Sequence, residues 1–327
     1  MLVLVTGASG FVGSHVVESL LKRGIPTAVL LRPTSRRDFI KHVLHQLEVR
    51  IGALDDPESL TQALCGVTHV IHCAGLTKAY YPEEFINTNH VGTRNLVSAV
   101  NNYSNQVCRL VLVSSLAAVG PSTAGKPVDE SVQPHPVSIY GWSKLLAERE
   151  VIEHSQVEYT ILRPPAVYGP RDDGFLSMFR LVGFRLVPRF IGGIKEMSFV
   201  YVRDLAEVIA EAVVHRAAGG KTYFVSAREV VSPSEFSELI AGAMQVSVVP
   251  VPIPVWAMWP VCAVSELVAR VRKKPTILNR QKFAEFKASA WTCDPSRLES
   301  ELGVACRTPL KVGINETVRW YQENGWL

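Results

Sequence analysis

The sequence predicts an α/β chain: a doubly wound parallel sheet covered by helices, with a smaller, mostly helical C-terminal unit attached. Three observations carry this expectation. The apolar run Met1-Leu2-Val3-Leu4-Val5 ends in the closely spaced glycines Gly7, Gly10 and Gly13. Strand-like and helix-like patterns then alternate through the first half. Beyond Arg163 the alternation gives way to proline, glycine and aromatic residues.

The apolar run reads as a buried parallel strand, and Phe11–Lys22 carries helical apolar spacing. A glycine where strand turns into helix lets the backbone bend sharply, a second lets a phosphate come close, and a third lets helix pack on strand. The unpaired N–H groups and positive dipole end of such a helix favour a pyrophosphate. Strands at Thr27–Leu31 and Glu48–Ile51, a helix at Pro57–Leu64 and a strand at His69–Cys73 follow. Next come a helix at Thr88–Asn101, a strand at Arg109–Ser114, a Gly/Pro/Ser-rich loop over 120–137, a helix from Ser143 to Ser155 and a strand at Tyr159–Leu162. Pro164–Phe199 reads as loops and short helices, while Val200–Val214 and Thr222–Val225 read as a helix and a strand returning to the main sheet. The predicted division is therefore 1–165 with 200–227 as the cofactor-binding domain, and 166–199 with 228–327 as the substrate-binding domain.

The composition excludes some classes of function. The chain has 327 residues and a net charge of +4, with no dense Lys/Arg run interleaved with aromatics, which argues against nucleic acid. The short basic cluster Arg270, Arg272, Lys273 and Lys274 reads as a solvated helix end. Cys65, Cys73, Cys108, Cys262, Cys293 and Cys306 show no metal-ligand spacing and read as reduced thiols, mostly core filler. No metal site is expected. Met1 leads straight into the first strand, so no targeting peptide and a cytoplasmic location are expected. Val246–Ser265 has no charged residue, but Pro250, Pro252, Pro254 and Pro260 interrupt it. That pattern suits an extended segment followed by a buried helix, with membrane contact the minor alternative.

Tyr140-Gly141-Trp142-Ser143-Lys144 sets a phenol and an ammonium one helical turn apart on one face. A free tyrosine, with a pKa of about 10, is too weakly acidic to serve as a base at neutral pH. A neighbouring ammonium and an oxidised nicotinamide ring both favour the phenolate, so Lys144 is expected to lower the Tyr140 pKa. Ser115 lies just past a strand, at a carboxyl end, where its hydroxyl can hold a substrate oxygen. Ser114 is the alternative, expected to turn to the backbone.

Further segments recur in a set order: Thr6 to Gly13, His72-Cys73-Ala74-Gly75, Asn89 in Asn-His-Val-Gly-Thr, Ser114-Ser115, Tyr140 to Lys144, and Arg163-Pro164-Pro165-Ala166-Val167-Tyr168-Gly169-Pro170-Arg171. In these the chain resembles the extended short-chain dehydrogenase/reductases, the NAD-dependent epimerase/dehydratase family, over essentially its whole length. The resemblance implies a Rossmann sheet of about seven strands, with Ser115, Tyr140 and Lys144 as the catalytic set. Carried over position by position, it implies cofactor contacts from Gly7, Ser9, Gly10, Phe11, Val12, Gly13, Arg32, Leu54, Cys73, Ala74, Gly75, Asn89, Tyr140, Lys144, Pro164 and Val167. It also implies a homodimer, for which the helices at Thr88–Asn101 and Ser143–Ser155 could supply a four-helix contact.

Departures from the family pattern narrow the expected activity. Nucleotide-sugar epimerases tend to carry an asparagine where this chain has Ala166, and an arginine at the position of Met197. The sugar dehydratases follow their hydroxyl residue with Asp-Glu, where this chain has Leu116-Ala117. Leu278-Asn279-Arg280, Trp291 to Pro295, Leu302-Gly303 and Thr317 to Trp320 look like the 3β-hydroxysteroid dehydrogenase-like members, and Leu31-Arg32-Pro33 is similar to dihydroflavonol reductases. The resemblance thus implies hydride transfer to or from a secondary alcohol or ketone on an apolar or ring-bearing small molecule, with Phe175, Met178, Phe179, Trp256 and Trp259 available for its pocket. A nucleotide-sugar epimerase and a non-catalytic cofactor-sensing protein are the alternatives. Arg32, with Arg36 and Arg37 behind it, stands where NAD enzymes carry an acidic residue, so NADP(H) is expected over NAD(H). Ala53, where an adenine-contacting aspartate is common, weakens adenine recognition.

Overall fold

Val3–Thr6 forms a strand (β1) whose four residues are all buried, because strands pair with it on both edges and helices cover both faces. The computed structural model describes residues 1–272 and 282–327, with side chains described for 1–268 and 283–327. The basic cluster at Arg270–Lys274 and the Leu278-Asn279-Arg280 motif therefore lie outside the described side chains.

From β1 the chain runs through α1 (Phe11–Lys22), β2 (Thr27–Leu31), β3 (Glu48–Ile51), α2 (Pro57–Ala63), β4 (His69–His72), α3 (Pro82–Phe85), α4 (Gly92–Asn101), β5 (Arg109–Val113), α5 (Ile139–His154) and β6 (Glu158–Arg163). The second half holds β7 (Ala166–Tyr168), α6 (Leu176–Gly183), β8 (Leu186–Ile191), β9 (Glu196–Tyr201), α7 (Val202–Val214), β10 (Lys221–Phe224), β11 (Val230–Val231) and α8 (Pro233–Met244). It closes with β12 (Val249–Pro254), α9 (Met258–Arg272), α10 (Lys282–Phe286), β13 (Ala290–Trp291), α11 (Ser296–Leu302) and α12 (Leu310–Glu323).

Seven strands make one parallel sheet in the order β10-β6-β5-β4-β1-β2-β3. Alternation along each strand splits its apolar residues between two layers. Val3, Val5, Val111 and Val113 face α1 and α7, where Val16, Leu20, Ile209 and Val213 are buried. Leu4, Leu30, Leu110 and Leu112 face α2, α4 and α5, against Leu60, Leu96, Val100 and Val151. Each fully buried side chain of this size stabilises by roughly 1.5–3 kcal/mol relative to exposure. The strand order reverses between β1 and β4, which opens a crevice at their carboxyl ends.

The structure corrects several expectations. Residues 164–199 are not only loops and short helices: β7, β8 and β9 lie there, and β9 extends to Tyr201, so α7 begins at Val202. The later unit is less purely helical than expected. β9 pairs with β7, β11 and β13, and β8 pairs with β12. Pro250, Pro252 and Pro254 are tolerated in β12 because alternate positions place every missing N–H on one edge, while Val249 N–H donates to Arg185 at 2.8 Å. Aromatics fill the core of this unit, with Phe199 and Phe236 stacked at 4.3 Å beside Tyr168, Phe179 and Tyr321.

The helix expected to be buried, α9, is not. Trp256 is 74 % exposed and Trp259 51 % exposed, and Val261, Val264, Leu267 and Val268 also face outward. Trp256 and Trp259 therefore face outward, and Phe179 is fully buried core. Among the described residues no helix is long and apolar enough to cross a membrane. Of the six free cysteines only Cys262, Cys293 and Cys306 are buried, so half of them, not most, are core filler.

Candidate active site

At the turn between β1 and α1, Gly7 has a φ of 71°, and a Cβ there would stand 2.6 Å from the Ala74 nitrogen. A Cβ on Gly13 would meet the Gly7 carbonyl oxygen at 2.2 Å. Only glycine lets this turn close against both the helix and the end of β4. Gly10 donates to Gly7 O at 3.0 Å and starts α1 without a capping side chain and without an acid in the first turn. The leading N–H groups, beside half-buried Ser9, Phe11 and Val12, thus face the crevice with no built-in anion. That cradle fits the pyrophosphate of a dinucleotide.

The end of β4 is drawn against this turn. Cys73 N–H donates to Thr6 O at 3.2 Å and Ala74 N–H to Thr6 Oγ1 at 3.3 Å. Beyond it, Gly75 lies against both Asn89 and Lys144: a Cβ there would be 3.0 Å from Asn89 Oδ1 and 3.1 Å from Lys144 Nζ. Asn89 sits in a π-helical turn, Ile86–Val91, that joins α3 to α4, so the helix expected from Thr88 begins at Pro82. Such turns redirect a side chain out of the regular helical rows. Asn89 uses its amide within the protein, accepting from Leu76 N–H at 2.7 Å and donating to Leu76 O and Ser143 Oγ at 3.0 and 2.9 Å. It holds the 75–76 backbone rather than presenting its own amide to a ligand.

Helix α5 starts at Ile139, four residues before the expected Ser143, because Ser138 caps it through Gly141 N–H at 3.2 Å. Tyr140 and Lys144 therefore occupy its first two turns. Gly141 is needed here: a Cβ would stand 2.3 Å from Ala117 O, so only glycine lets α5 press on the turn after β5. That turn is fixed by Ser114 N–H to Leu162 O at 2.7 Å and Leu116 N–H to Pro164 O at 2.8 Å, on either side of Ser115. The result sets the Ser115 hydroxyl near the Tyr140 phenol, where it favours the phenolate. Ser115 Oγ also accepts from Ala117 N–H at 3.1 Å.

The electrostatics differ from the expected arrangement. Burial pushes the Tyr140 phenol up to about 12, against the nearby Ser115 hydroxyl, and the Glu285 carboxylate raises it further. Lys144 is engaged by the backbone. Its ammonium donates to Val113 O at 3.0 Å. Burial lowers Lys144 to about 8, opposed by Cys73 and Glu148. Ser114 does not turn to the backbone with its hydroxyl but donates to Glu148. Glu148, 1 % exposed, also accepts from Arg163 Nε and Nη2 at 3.0 and 2.6 Å. The Ser114–Glu148–Arg163 cluster escaped the sequence reading, although Glu148 stands one helical turn beyond Lys144.

The other expected cofactor positions lie on several elements. Leu54 packs on Gly92, with its carbonyl accepting from Asn95 Nδ2 at 2.8 Å. Pro164 is buried where it anchors Leu116, and Val167 is half-buried beside the sheet core. Arg32 is exposed past β2, its backbone tied to Ser35 Oγ at 3.0 Å. Among the described residues its guanidinium has no ion-pair partner, whereas Arg36 pairs with Asp38.

An uncapped helix start after a glycine turn, with half-buried Tyr140 one turn before buried Lys144, defines a nicotinamide-dependent enzyme of the short-chain dehydrogenase/reductase type. The chain belongs to the NAD dependent epimerase/dehydratase family, whose pattern matches residues 3–226. It is 29 % identical over 332 residues to the ceramide reductase of Caulobacter vibrioides, covering 99 % of this chain and 96 % of that one. It is 27 % identical over 267 residues to the human sterol-4-alpha-carboxylate 3-dehydrogenase, decarboxylating, covering 77 % and 69 %. The solved structure of Thermus thermophilus UDP-glucose 4-epimerase in complex with NAD superposes with a TM-score of 0.78 at 26 % identity, covering 98 % and 99 %.

Proposed function

We propose that this enzyme reduces a ketone, or oxidises the matching secondary alcohol, on an apolar or ring-bearing small molecule, with NADP(H) preferred. The observation that carries this reading is the placing of Ser115 at the carboxyl end of β5 with Tyr140 and Lys144 on α5, where Lys144 meets Val113 O and Gly75 beside the glycine cradle. A bound nicotinamide dinucleotide supplies a hydride donor or acceptor. Ser115 holds the substrate oxygen. Tyr140, protonated at neutral pH, gives its proton to that oxygen as a ketone is reduced and takes one from the alcohol in reverse. Lys144, fixed on Val113 O beside Gly75 and Asn89, holds the cofactor ribose and shares the proton transfer.

The division into a cofactor-binding part (1–165 with 200–227) and a substrate-binding part (166–199 with 228–327) belongs to this reading, with Phe175 and Met178 lining the substrate side. Two relatives are named for a ceramide and a sterol, which supports an apolar substrate. Ala166 and Met197 offer no group that binds a nucleotide-sugar phosphate. Arg32, exposed and without an ion-pair partner among the described residues, supports a 2′-phosphate contact. We place a homodimer contact on α4 and α5, where Trp142 and Ile152 expose apolar surface. Free thiols support a reducing, cytoplasmic setting.

The test is a steady-state screen of apolar secondary alcohols, ketones and nucleotide sugars, each with NAD⁺ or NADP⁺ and their reduced forms. Net oxidation or reduction of nicotinamide is expected with an apolar alcohol or ketone. A changed sugar stereoisomer without net change in nicotinamide would overturn the reading in favour of an epimerase. Cofactor binding without any turnover would favour a sensing protein.

A further inference from the structure

The outward face of α9 runs against the ordinary pattern of a surface helix, which turns its apolar stripe inward. Met258 and Cys262 do face the protein, but Val261, Val264 and Val268, at helical spacing, and Leu267, 62 % exposed, face away from it. The patch continues off the helix. Trp256 and Trp259 precede and open it, and β12 leads into it beside β8, with Ile191 in register with Pro254, two residues before Trp256. Phe184, Leu186 and Val249 expose the far end of this strand pair. Scattered exposed apolar residues are ordinary, whereas so many on elements adjoining in the chain and the sheet mark an interaction surface.

Its charge identifies the partner. Residues 181–195 contain Arg185, Arg189 and Lys195 and no acid, and residues 239–265 contain no charged residue at all. Arg185, Arg189 and Lys195 are exposed, and among the described residues none has an ion-pair partner. Tryptophans beside valine and leucine, edged by unpaired cations, match the boundary of an anionic bilayer: rings and aliphatic groups enter the headgroup region while guanidinium and ammonium groups meet phosphates. A protein partner of the same apolar character would leave those cations without a countercharge. We propose that this face, formed by α9, Trp256 and the β8–β12 pair, docks the enzyme on the surface of a membrane containing anionic phospholipid. The helix lies in the interface and does not span it, in keeping with its length and its Pro260.

The experiment is co-flotation of the full chain with phosphatidylcholine vesicles, with and without phosphatidylglycerol. Binding is expected to the anionic vesicles and to fall with added salt. Arg185→Glu with Arg189→Glu is expected to weaken it by at least about tenfold, and Trp256→Ser with Leu267→Ser by about tenfold or more. Unchanged thermal unfolding midpoints show that the variants fold. Absence of vesicle binding, or binding equal in all variants, overturns the proposal. So does a dimer, measured by light scattering, that Trp256→Ser with Leu267→Ser dissolves, since the face would then be a contact between copies. Vesicle binding is read without turnover, so its failure is separate from failure of the hydride-transfer reading.

Discussion

Arg163 grips both carboxylate oxygens of Glu148, at 3.0 and 2.6 Å, in a fully buried pair directly beneath the candidate active site. Glu148 follows Lys144 by one turn of α5, and Arg163 ends β6 just before the segment that anchors the Ser115 turn. One ion pair thus ties together the helix bearing Tyr140 and Lys144 and the two strand ends that carry Ser115 and Pro164.

Removing one partner leaves the other charge buried without its countercharge. Arg163→Met is expected to destabilise the fold by about 3–5 kcal/mol in urea unfolding. Combined with Glu148→Gln, the loss is expected to be smaller than the sum of the two single losses. Strict additivity would show that the pair is not coupled.

Arg32→Ala tests the basis of cofactor preference. The expected outcome is a rise in KM for NADP⁺ of roughly tenfold to a hundredfold, with little change for NAD⁺. Equal effects on both cofactors would remove the 2′-phosphate from the account.

Asp172 gives a pH signature. It is buried, and burial raises its carboxyl to about 7 against backbone hydrogen bonds from Gly174 and Phe175. Between the ordinary carboxylate range and about 7, the folded chain holds a proton that the unfolded chain has released. Stability therefore falls as pH rises through that window, and the penalty is complete above it, on the order of 4 kcal/mol. Asp172→Asn is expected to flatten this decline and to gain stability at pH 8 but not at pH 4, by denaturant titration at each pH. A decline of the same size in the variant would assign it to other groups.

The parallel sheet was legible because β1, β2 and β5 are apolar except for one end residue each, Thr6, Thr27 and Arg109, and only a sheet covered on both faces buries such runs. The glycine turn was legible because Gly13 answers to the Gly7 backbone six positions earlier, although the close approach of Gly7 to Ala74 is long-range and was not. The strands β7, β9 and β13 were not. They pair Ala166 with Phe199 and Ala290 with Glu196, and such short segments become strands only when a distant partner arrives. Hydrophobicity marked Val246–Ser265 but not which way it faces, since an apolar helix is buried only where something covers it.

Within the candidate site, residue types at short spacing were readable and tertiary electrostatics were not. The Tyr140–Lys144 spacing placed both groups on α5, but whether the ammonium reaches the phenol depends on Val113 O, which captures it. Ser114 was assigned to the backbone by a local habit of serines, and Glu148, thirty-four residues on, outcompetes it.

The most direct test of hydride transfer with Tyr140 as proton donor is steady-state reduction of an apolar ketone by NADPH, comparing the wild type with Tyr140→Phe at saturating cofactor. The account predicts a fall in kcat of roughly a hundredfold to ten-thousandfold with the Kd for NADPH unchanged. Turnover equal to that of the wild type would contradict it.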